Sequence, residues 1–334
     1  MGTFYICKCF YTENYFVAAI RAHMRYESDE QFQQDYVPDK YGVSMSALLA
    51  EVKEEKERRR EVVEGSLGRR ALIQQTYVPV HKDVFEFQER WLDSRFLAMW
   101  NHVCNNDKGT LLQYQICQKR YGLYQFPVFT DKFCEQLAQE IMNFRRADLP
   151  RMRPNTMNYN GVLLDEIGFK NFFDSFRSKY LNPLATAVYP EWTGDRLDSH
   201  RAFTVSYNAD EPRTTNEQQQ VDLTVHYDNA EVTLNVSLND AYEGGEIHFG
   251  DVRTGPKFSP TSTQDAFVGH KRGWGILHRG RQLHGALPIE SGFRDNLIIW
   301  MRSSSIRNQQ CPMCWKDPAL VPVPDGCYGD GFKN

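Results

Sequence analysis

The chain has 334 residues, enough for one large domain or two, and its 41% hydrophobic and 13% aromatic content indicates a globular protein. This composition excludes an intrinsically disordered chain. The net charge of −4 gives no general attraction to nucleic acid or to an anionic membrane surface. No apolar run reaches the roughly 18 residues that a transmembrane helix requires. We therefore expect no membrane contact, and the charge argues against a nucleic-acid partner.

The first residues, MGTFYICKCFYTENYF, lack the basic stretch of a secretory signal peptide, and Lys8 interrupts their short apolar run. We therefore expect no signal peptide. The eight cysteines are scattered through the chain, so reduced thiols are the expected state. These features favour an intracellular protein, located in the cytoplasm or the nucleus.

Residues 1–120 are interpreted as a mainly helical N-terminal region without a recognisable role. The clearest helix covers residues 44–65, where strong helix formers carry a charged face and Gly65 provides a stop. Glutamates are interleaved with the basic residues, so we interpret this face as solvated rather than as a nuclear-import or partner-binding patch. The basic residues are Lys56, Arg58, Arg59 and Arg60. Apolar residues at helical spacing predict a second helix over residues 84–101.

Residues 121–194 are expected to form a helical support for the domain that follows. A short aromatic segment, Tyr121–Thr130, is typical of a strand, and Thr130 can cap the helix after it. That helix would bury one apolar face, formed by Phe133, Leu137, Ile141 and Phe144. A further helix is predicted from Glu166 to Val188, and Pro183 should end or kink it.

Residues 195–305 have a different pattern, in which short β-branched and aromatic runs alternate with turn residues. The runs are Phe203–Tyr207, Leu223–His226, Val232–Leu238, Glu246–Phe249, Ala266–Gly269, Gly273–Leu277 and Leu297–Met301. This pattern predicts a β-sandwich or jelly roll and not a parallel α/β sheet. The expected fold class is therefore α+β, with the β-rich core at 195–305 and a cysteine-containing tail at 306–334.

Three residues in this β-rich part are candidates for one metal site: His226, Asp228 and His284. Residues two apart in a strand project to the same side, so His226 and Asp228 can bind one ion while Tyr227 points away. Two imidazoles and one carboxylate with open coordination positions are typical of a non-haem Fe(II) oxygenase. The residue types alone also admit Zn or Mn, so a metallohydrolase stays open at this point.

Arg294 follows His284 by ten residues and stands at the start of the apolar run NLIIWM. A guanidinium offers a fixed fork for a carboxylate and cannot lose its charge. A metal together with a carboxylate anchor suggests a 2-oxo acid co-substrate that chelates the metal. Arg281 is the next candidate for this anchor.

Other polar residues in the same region have simpler explanations. Asn235 could bind a co-substrate or make a polar contact at a strand edge, and both readings stay open. His248 and His270 are expected at the surface or at strand ends. Gly244 and Gly245 fit a tight turn.

The cysteines of the tail form an incomplete metal-binding pattern. Cys311 and Cys314 are a C-x-x-C pair and Cys327 is a third candidate, but a structural zinc site normally needs four ligands. Reduced thiols are therefore favoured over zinc. Cys7 and Cys9 add little information.

From about Phe126 to Met301 the chain resembles the 2-oxoglutarate- and Fe(II)-dependent dioxygenases of the prolyl/lysyl hydroxylase class. The resemblance rests on FTVSY ending at Tyr207, the HYD triplet followed by TLNVSLN, YEGGE, GWGILHRGRQLHGALP and Arg294. It implies a double-stranded β-helix flanked by helices. It also implies that His226, Asp228 and His284 bind iron, that Arg294 binds the C5 carboxylate of 2-oxoglutarate, and that Tyr207 lies near this co-substrate.

His278 is the alternative distal ligand, because it lies in the same string as His284. It would place Arg294 sixteen residues away instead of the ten that the resemblance implies, so His284 is preferred and His278 is expected to be structural. Members of the superfamily that demethylate nucleic acids carry a second arginine six residues after the first. This chain has Trp300 there, which argues against base demethylation.

The resemblance implies a reaction that couples oxidative decarboxylation of 2-oxoglutarate to hydroxylation of a C–H bond. O2 would be consumed, succinate and CO2 released, and L-ascorbate would maintain the iron. The family points to a prolyl or lysyl side chain of a protein as substrate, and a small molecule stays open. The alternative is a jelly-roll module that binds metal and 2-oxoglutarate without catalysis.

Overall fold

The computed structural model describes residues 2–7, 9, 15–36, 40, 42–105, 109, 113–114, 122–210, 220–256 and 266–323. Its strands are β1 (Gly2–Ile6), β2 (Tyr15–Val17), β3 (Ala22–Met24), β4 (Tyr124–Pro127), β5 (Ser199–Asn208), β6 (Leu223–His226), β7 (Val232–Ser237), β8 (Tyr242–Gly244), β9 (Ile247–Val252), β10 (Ala266–Val268), β11 (Trp274–Arg279), β12 (Gln282–Ala286), β13 (Ile289–Arg302) and β14 (Ala319–Val323). Its α-helices are α1 (Asp29–Asp35), α2 (Met45–Glu64), α3 (Ser66–Thr76), α4 (Ser94–Cys104), α5 (Asp131–Arg146), α6 (Lys170–Phe176), α7 (Asn182–Val188), α8 (Pro190–Thr193) and α9 (Ser304–Arg307). None of these helices is long and apolar enough to cross a membrane.

Two antiparallel sheets form the β-rich core. The larger sheet has the order β4–β11–β7–β13–β5, with β8 also paired to β13, and the smaller has the order β10–β9–β12–β6. Neighbouring strands are mostly not consecutive in the chain, so the chain passes repeatedly from one sheet to the other, as in a jelly roll. The predicted α+β fold class with a jelly-roll core is confirmed. The strand pattern alone missed β8 and β12, which are short and contain glycine.

Strand alternation gives the larger sheet two different faces. In β7, Val232, Leu234 and Val236 are buried in the main hydrophobic core, whereas Thr233 and Asn235 line a cavity on the other side. This is the period of two that an extended strand imposes. The helices therefore cover one face of the larger sheet and leave the other face for a polar site.

Helix α5 supplies much of that hydrophobic cover. Thr130 caps it as predicted, since the Phe133 amide donates to the Thr130 hydroxyl over 3.3 Å. The predicted apolar face is buried, and Phe133 stacks on Phe172 of α6 with ring centroids 5.2 Å apart. Such aromatic pairs add packing energy beyond the area they bury. The helical layer therefore packs on the apolar face of the larger sheet, opposite the cavity.

Two helix boundaries differ from the prediction. The helix expected over residues 84–101 begins only at Ser94, because the Asp93 side chain accepts from the Arg95 amide and acts as the N-cap. The helix expected from Glu166 begins at Lys170, after Gly168 adopts a φ of +115°. Pro183 does not end it. A π-helical turn precedes α7, and the proline occupies the first turn of that helix, where a missing N–H costs little.

The N-terminal region has a small core of its own between α1, α2 and the β2–β3 hairpin. The Ser44 side chain caps α2 by accepting from the Ala47 amide. The interpretation of its charged face as solvated is wrong in part, because Glu55 and Arg59 are buried. Glu55 lies 2.9 Å from Arg59 and 2.8 Å from Arg153, so the opposite charges neutralise each other within the interface.

A buried histidine links helix α6 to the larger sheet. His200 of β5 has Asp165 3.2 Å from Nε2 and Asp174 3.3 Å from Nδ1. Burial alone would lower the pKa of His200, but the two carboxylates outweigh it and raise the pKa to about 9. The imidazole is therefore positively charged at neutral pH.

Candidate metal centre

The three predicted ligand residues converge at one end of the smaller sheet. His226 is the last residue of β6 and pairs directly with His284 of β12, while Asp228 follows two residues later. The Asp228 Oδ1 atom lies 3.6 Å from His226 Nε2 and 3.7 Å from His284 Nε2. One donor atom from each residue lies within 4.8 Å of the others. The strand register thus brings together residues that are far apart in the sequence.

Backbone hydrogen bonds orient both imidazoles toward the centre of this group. His226 Nδ1 lies 2.8 Å from the Thr224 carbonyl, and His284 Nδ1 lies 2.8 Å from the Gln282 carbonyl. Each Nδ1–H therefore donates outward, and each Nε2 keeps its lone pair for a metal. The second carboxylate oxygen of Asp228 accepts from the Thr233 hydroxyl over 2.7 Å, which fixes the rotamer of the carboxylate.

The charge states of the group also suit a metal. Burial acts to raise the pKa of Asp228, but the neighbouring His284 and His226 outweigh it and hold this pKa below its usual range. Burial lowers the pKa of His284 to about 3, against the opposing attraction of Asp228. An ionised carboxylate and a neutral imidazole are the forms that bind a divalent ion.

The alternative ligand His278 lies behind the group rather than in it. Its Nε2 atom is 3.9 Å from Asp228 Oδ2, and its ring centroid is 4.7 Å from that of His284. It does not belong to the set of donor atoms that converge. The geometry therefore favours His284 as the distal ligand, with His278 packed against the carboxylate.

The candidate anchor Arg294 lies in the same cavity as the three ligand residues, between the two sheets. Only 1% of its surface is exposed, and its hydrogen-bond partners among the described residues include no carboxylate. Three of its five N–H groups donate to neutral acceptors, namely Asn296 Oδ1, the Gly245 carbonyl and His270 Nδ1. A buried guanidinium without a counter-ion is costly, so this geometry fits a cation that receives its carboxylate from a ligand.

Sequence reasoning missed two histidines of this region, His270 beside Arg294 and His248 beside the strand that carries His284. His270 is not an ordinary surface residue, since its Nδ1 lies 3.2 Å from Arg294, and burial followed by the arginine charge lowers the pKa of His270 well below its usual range. His248 is also buried, and a Cβ on Gly285 would lie 2.6 Å from its Nε2. Neither contact is marked by a local pattern in the sequence, because His270 meets Arg294 across the two sheets and His248 meets Gly285 through the pairing of β9 with β12.

Several polar side chains complete the surroundings of Arg294. Asn235 is buried and accepts from Asn296 Nδ2 over 2.8 Å, so it lines the cavity and is not a strand-edge residue. Tyr207 and Tyr242 flank the guanidinium with ring centroids 5.4 and 5.5 Å away. The Tyr242 hydroxyl is buried without a hydrogen-bond partner in the described part of the chain. An unpaired buried donor beside an arginine fits a site for an anionic ligand.

The walls of the cavity also include Phe203, Ile298 and Trp300. The ring of Trp300 packs edge-on against Phe203 with centroids 5.0 Å apart. The alternative anchor Arg281 lies elsewhere, over the Trp192 ring at 4.2 Å. The candidate metal ligands, Arg294 and the apolar walls therefore share one pocket, and Arg281 does not line it.

A jelly roll with a His-Asp-His group and a buried arginine in one cavity is the architecture of the 2-oxoglutarate- and iron-dependent oxygenases. Comparison with known proteins agrees. Residues 73–194 match the family model described as the OGFOD2-like domain. The chain is 43% identical over 99% of its length to 2-oxoglutarate and iron-dependent oxygenase domain-containing protein 2 of Xenopus tropicalis, and covers 93% of that protein. It is 40% identical over 98% of its length to the Homo sapiens protein of the same name, again covering 93% of it.

The chain belongs to the family of 2-oxoglutarate and iron-dependent oxygenase domain-containing protein 2. A more distant relative is the human procollagen-lysine,2-oxoglutarate 5-dioxygenase 1, with 28% identity over 52% of this chain and 23% of that protein.

Proposed function

We propose that this protein is an Fe(II)- and 2-oxoglutarate-dependent dioxygenase that hydroxylates a C–H bond of a prolyl or lysyl side chain in a protein. The observation that carries the proposal is the buried Arg294, which has only neutral partners among the described residues and shares a cavity with three convergent metal-ligand side chains. A dicarboxylate that chelates the metal at one end would supply the missing counter-ion at the other. 2-Oxoglutarate has this chemistry.

Each side chain of the site has a definite task in this proposal. His226, Asp228 and His284 would hold the iron, because their donor atoms are convergent and because Asp228 is ionised and His284 is neutral. When bound, Fe(II) supplies O2 activation coupled to the decarboxylation of 2-oxoglutarate to succinate and CO2. Arg294 would bind the C5 carboxylate of 2-oxoglutarate through a charge-assisted fork.

The remaining residues would position these groups and exclude water. His270 accepts from Arg294 and thereby fixes the direction of the guanidinium, while Tyr207 packs beside it near the co-substrate. Phe203 and Trp300 give the cavity apolar walls, which shield a reactive centre from solvent. Thr233 holds the Asp228 carboxylate through its hydroxyl.

The proposed substrate class rests on the lysyl hydroxylase relative, whose similarity extends over half of this chain. L-Ascorbate is proposed as the reductant that maintains the iron. Incubation of the protein with proline- and lysine-containing peptides, O2 and 2-oxoglutarate should give peptides that gain one oxygen atom. Succinate should form in proportion to the modified peptide.

The first test is anaerobic titration of the purified protein with Fe(II) and 2-oxoglutarate, followed by the metal-to-ligand charge-transfer band in the visible. The band should form with wild-type protein and disappear in His226→Ala and Asp228→Ala. His102→Ala, which removes an exposed histidine of α4, is the matched control and should keep the band.

Two outcomes would contradict the proposal. A charge-transfer band without O2-dependent succinate formation would indicate a binding module without catalysis. No band, together with a hydrolytic activity that needs neither O2 nor 2-oxoglutarate, would indicate a Zn or Mn hydrolase on the same fold.

A further inference from the structure

Four cysteine side chains from opposite ends of the described chain meet in one cluster. Cys7 and Cys9 follow strand β1, and Cys311 and Cys314 precede strand β14. The antiparallel pairing of β1 with β14, which sets Ile6 opposite Ala319, brings the C-x-C and C-x-x-C segments together. The zinc site that the sequence left incomplete for lack of a fourth ligand therefore gains two ligands that the sequence did not associate with it. Cys327 lies outside the described residues.

The spacing of the sulfurs matches a single tetrahedral ion. Cys7 Sγ lies 3.3 Å from Cys314 Sγ, Cys9 Sγ lies 3.6 Å from Cys311 Sγ, and all four sulfurs lie within 4.8 Å of one another. Four sulfurs bonded to one zinc ion at about 2.3 Å would lie about 3.8 Å apart. A disulfide would need a distance of about 2.05 Å between two sulfurs. The observed pairs are therefore close to the zinc geometry.

The backbone around the C-x-x-C segment forms a tight turn that directs two amides at the Cys311 sulfur. The Trp315 amide donates to the Cys311 carbonyl over 2.8 Å, and the Cys311 amide donates to the Lys316 carbonyl over 3.0 Å, which closes a tight turn. Trp315 takes a φ of +59°, which is uncommon for a bulky residue and lets the chain wrap around the sulfurs. The amides of Met313 and Cys314 are directed at Cys311 Sγ, and such donors favour the charged sulfur that binds metal.

Buried and aromatic side chains surround the cysteine cluster, together with a positively charged arginine. Cys311 is fully buried, and Tyr227 packs against the cluster from the segment that joins His226 to Asp228. Arg253 lies over both the Tyr227 ring at 4.9 Å and the Trp315 ring at 4.4 Å. A zinc tetrathiolate carries two negative charges, so an adjacent cation is favourable.

We propose that Cys7, Cys9, Cys311 and Cys314 bind one structural zinc ion. The four thiols lose their protons on binding, and no coordination position stays open for a substrate. The ion links the end of β1 to the turn before β14. Because Tyr227 packs against the cysteine cluster, the ion also stabilises the segment between His226 and Asp228, two of the proposed iron ligands.

Zinc analysis should be done in the His226→Ala/Asp228→Ala background, so that the candidate iron site cannot retain the metal. Full-length protein purified with a thiol reductant and treated with a chelating resin should contain about one zinc ion per chain. Cys9→Ser and Cys311→Ser should each lose most of it. Cys104→Ser, which removes an exposed thiol on α4, is the matched control and should keep it.

Cobalt substitution tests the site without any cysteine variant. Expressed or refolded with Co²⁺, the protein with all its cysteines should show sulfur-to-metal charge transfer and the intense visible bands of a tetrahedral tetrathiolate. Absence of zinc in that background, weak octahedral cobalt bands, retention of zinc by Cys9→Ser and Cys311→Ser, or a mass spectrum that shows two disulfides under non-reducing conditions would each overturn the proposal.

Discussion

The sharpest test of the proposed site is the replacement of Arg294 by glutamine. The variant loses a buried cation whose partners are neutral, so the distal carboxylate of 2-oxoglutarate would lose its only charged contact among the described side chains of the cavity. Truncating one side of a buried charge pair costs on the order of 2–5 kcal/mol. The affinity for 2-oxoglutarate should therefore fall by about 30- to 5,000-fold.

A second ligand separates loss of the anchor from general damage. 2-Oxobutyrate keeps the 2-oxo acid that chelates a metal but lacks the distal carboxylate. Wild-type protein should prefer 2-oxoglutarate over 2-oxobutyrate by the factor given above, whereas Arg294→Gln should bind the two with similar affinity. Both affinities can be read anaerobically from the charge-transfer band, with Fe(II) in excess.

Two further variants complete the experiment. Arg281→Gln removes an arginine that stacks on Trp192 outside the cavity, and it should leave the preference unchanged. Arg294→Lys keeps the charge but not the bidentate fork, so it should give an intermediate loss. If Arg294→Gln has a wild-type circular dichroism spectrum and still prefers 2-oxoglutarate strongly, the anchor is another residue and the reasoning is refuted.

Three more predictions concern stability and site geometry. The folded-state pKa of His200 is about 9, above its ordinary value of about 6.5. Its charged form should therefore add on the order of 3 kcal/mol to the free energy of unfolding. This contribution should be complete below pH 6.5 and lost as the pH rises through 9. Chemical denaturation across this range should show the loss in wild type and not in His200→Gln. Phe172→Ala should reduce the free energy of unfolding by about 3–5 kcal/mol, because the ring is buried against Phe133, and a loss under about 1 kcal/mol would contradict the packing described. Gly285→Ala should weaken Fe(II) binding without abolishing folding, because the added Cβ would lie 2.6 Å from His248 and displace the strand that carries His284. An unchanged affinity in an iron titration would contradict this prediction, since it would show that the strand accepts the added methyl group without moving His284.

The candidate metal ligands could be picked out from the sequence because their signal is local. The spacing of His226 and Asp228 follows from strand geometry, and Arg294 lies at a fixed interval after His284 within one β-rich stretch. Helix caps such as Thr130 were predicted for the same reason, since the cap and the helix it begins are adjacent in the chain.

The features that the sequence did not reveal depend on contacts between distant segments. His270 reaches Arg294 only because β10 and β13 belong to sheets that fold together, and no residue near His270 marks it as part of the site. Cys7 and Cys9 are separated from Cys311 and Cys314 by about 300 residues. Their proximity in space therefore depends on the pairing of β1 with β14. Arg59 was taken as solvated because its own helix offers glutamates, whereas its burial is set by packing of that helix on Tyr15.

The pairing of β1 with β14 also has a consequence for biosynthesis. Gly2 pairs with Val323, so the ribosome must add 321 further residues (323 − 2) before the first strand has its partner. At synthesis rates of about 5–20 residues per second, this interval is on the order of tens of seconds. Throughout that time β1 offers unpaired backbone groups to any neighbouring strand, and such an edge promotes aggregation. A chain released after β13 would contain every proposed iron ligand but would leave β1 without this partner, so we expect the truncated protein to aggregate more readily.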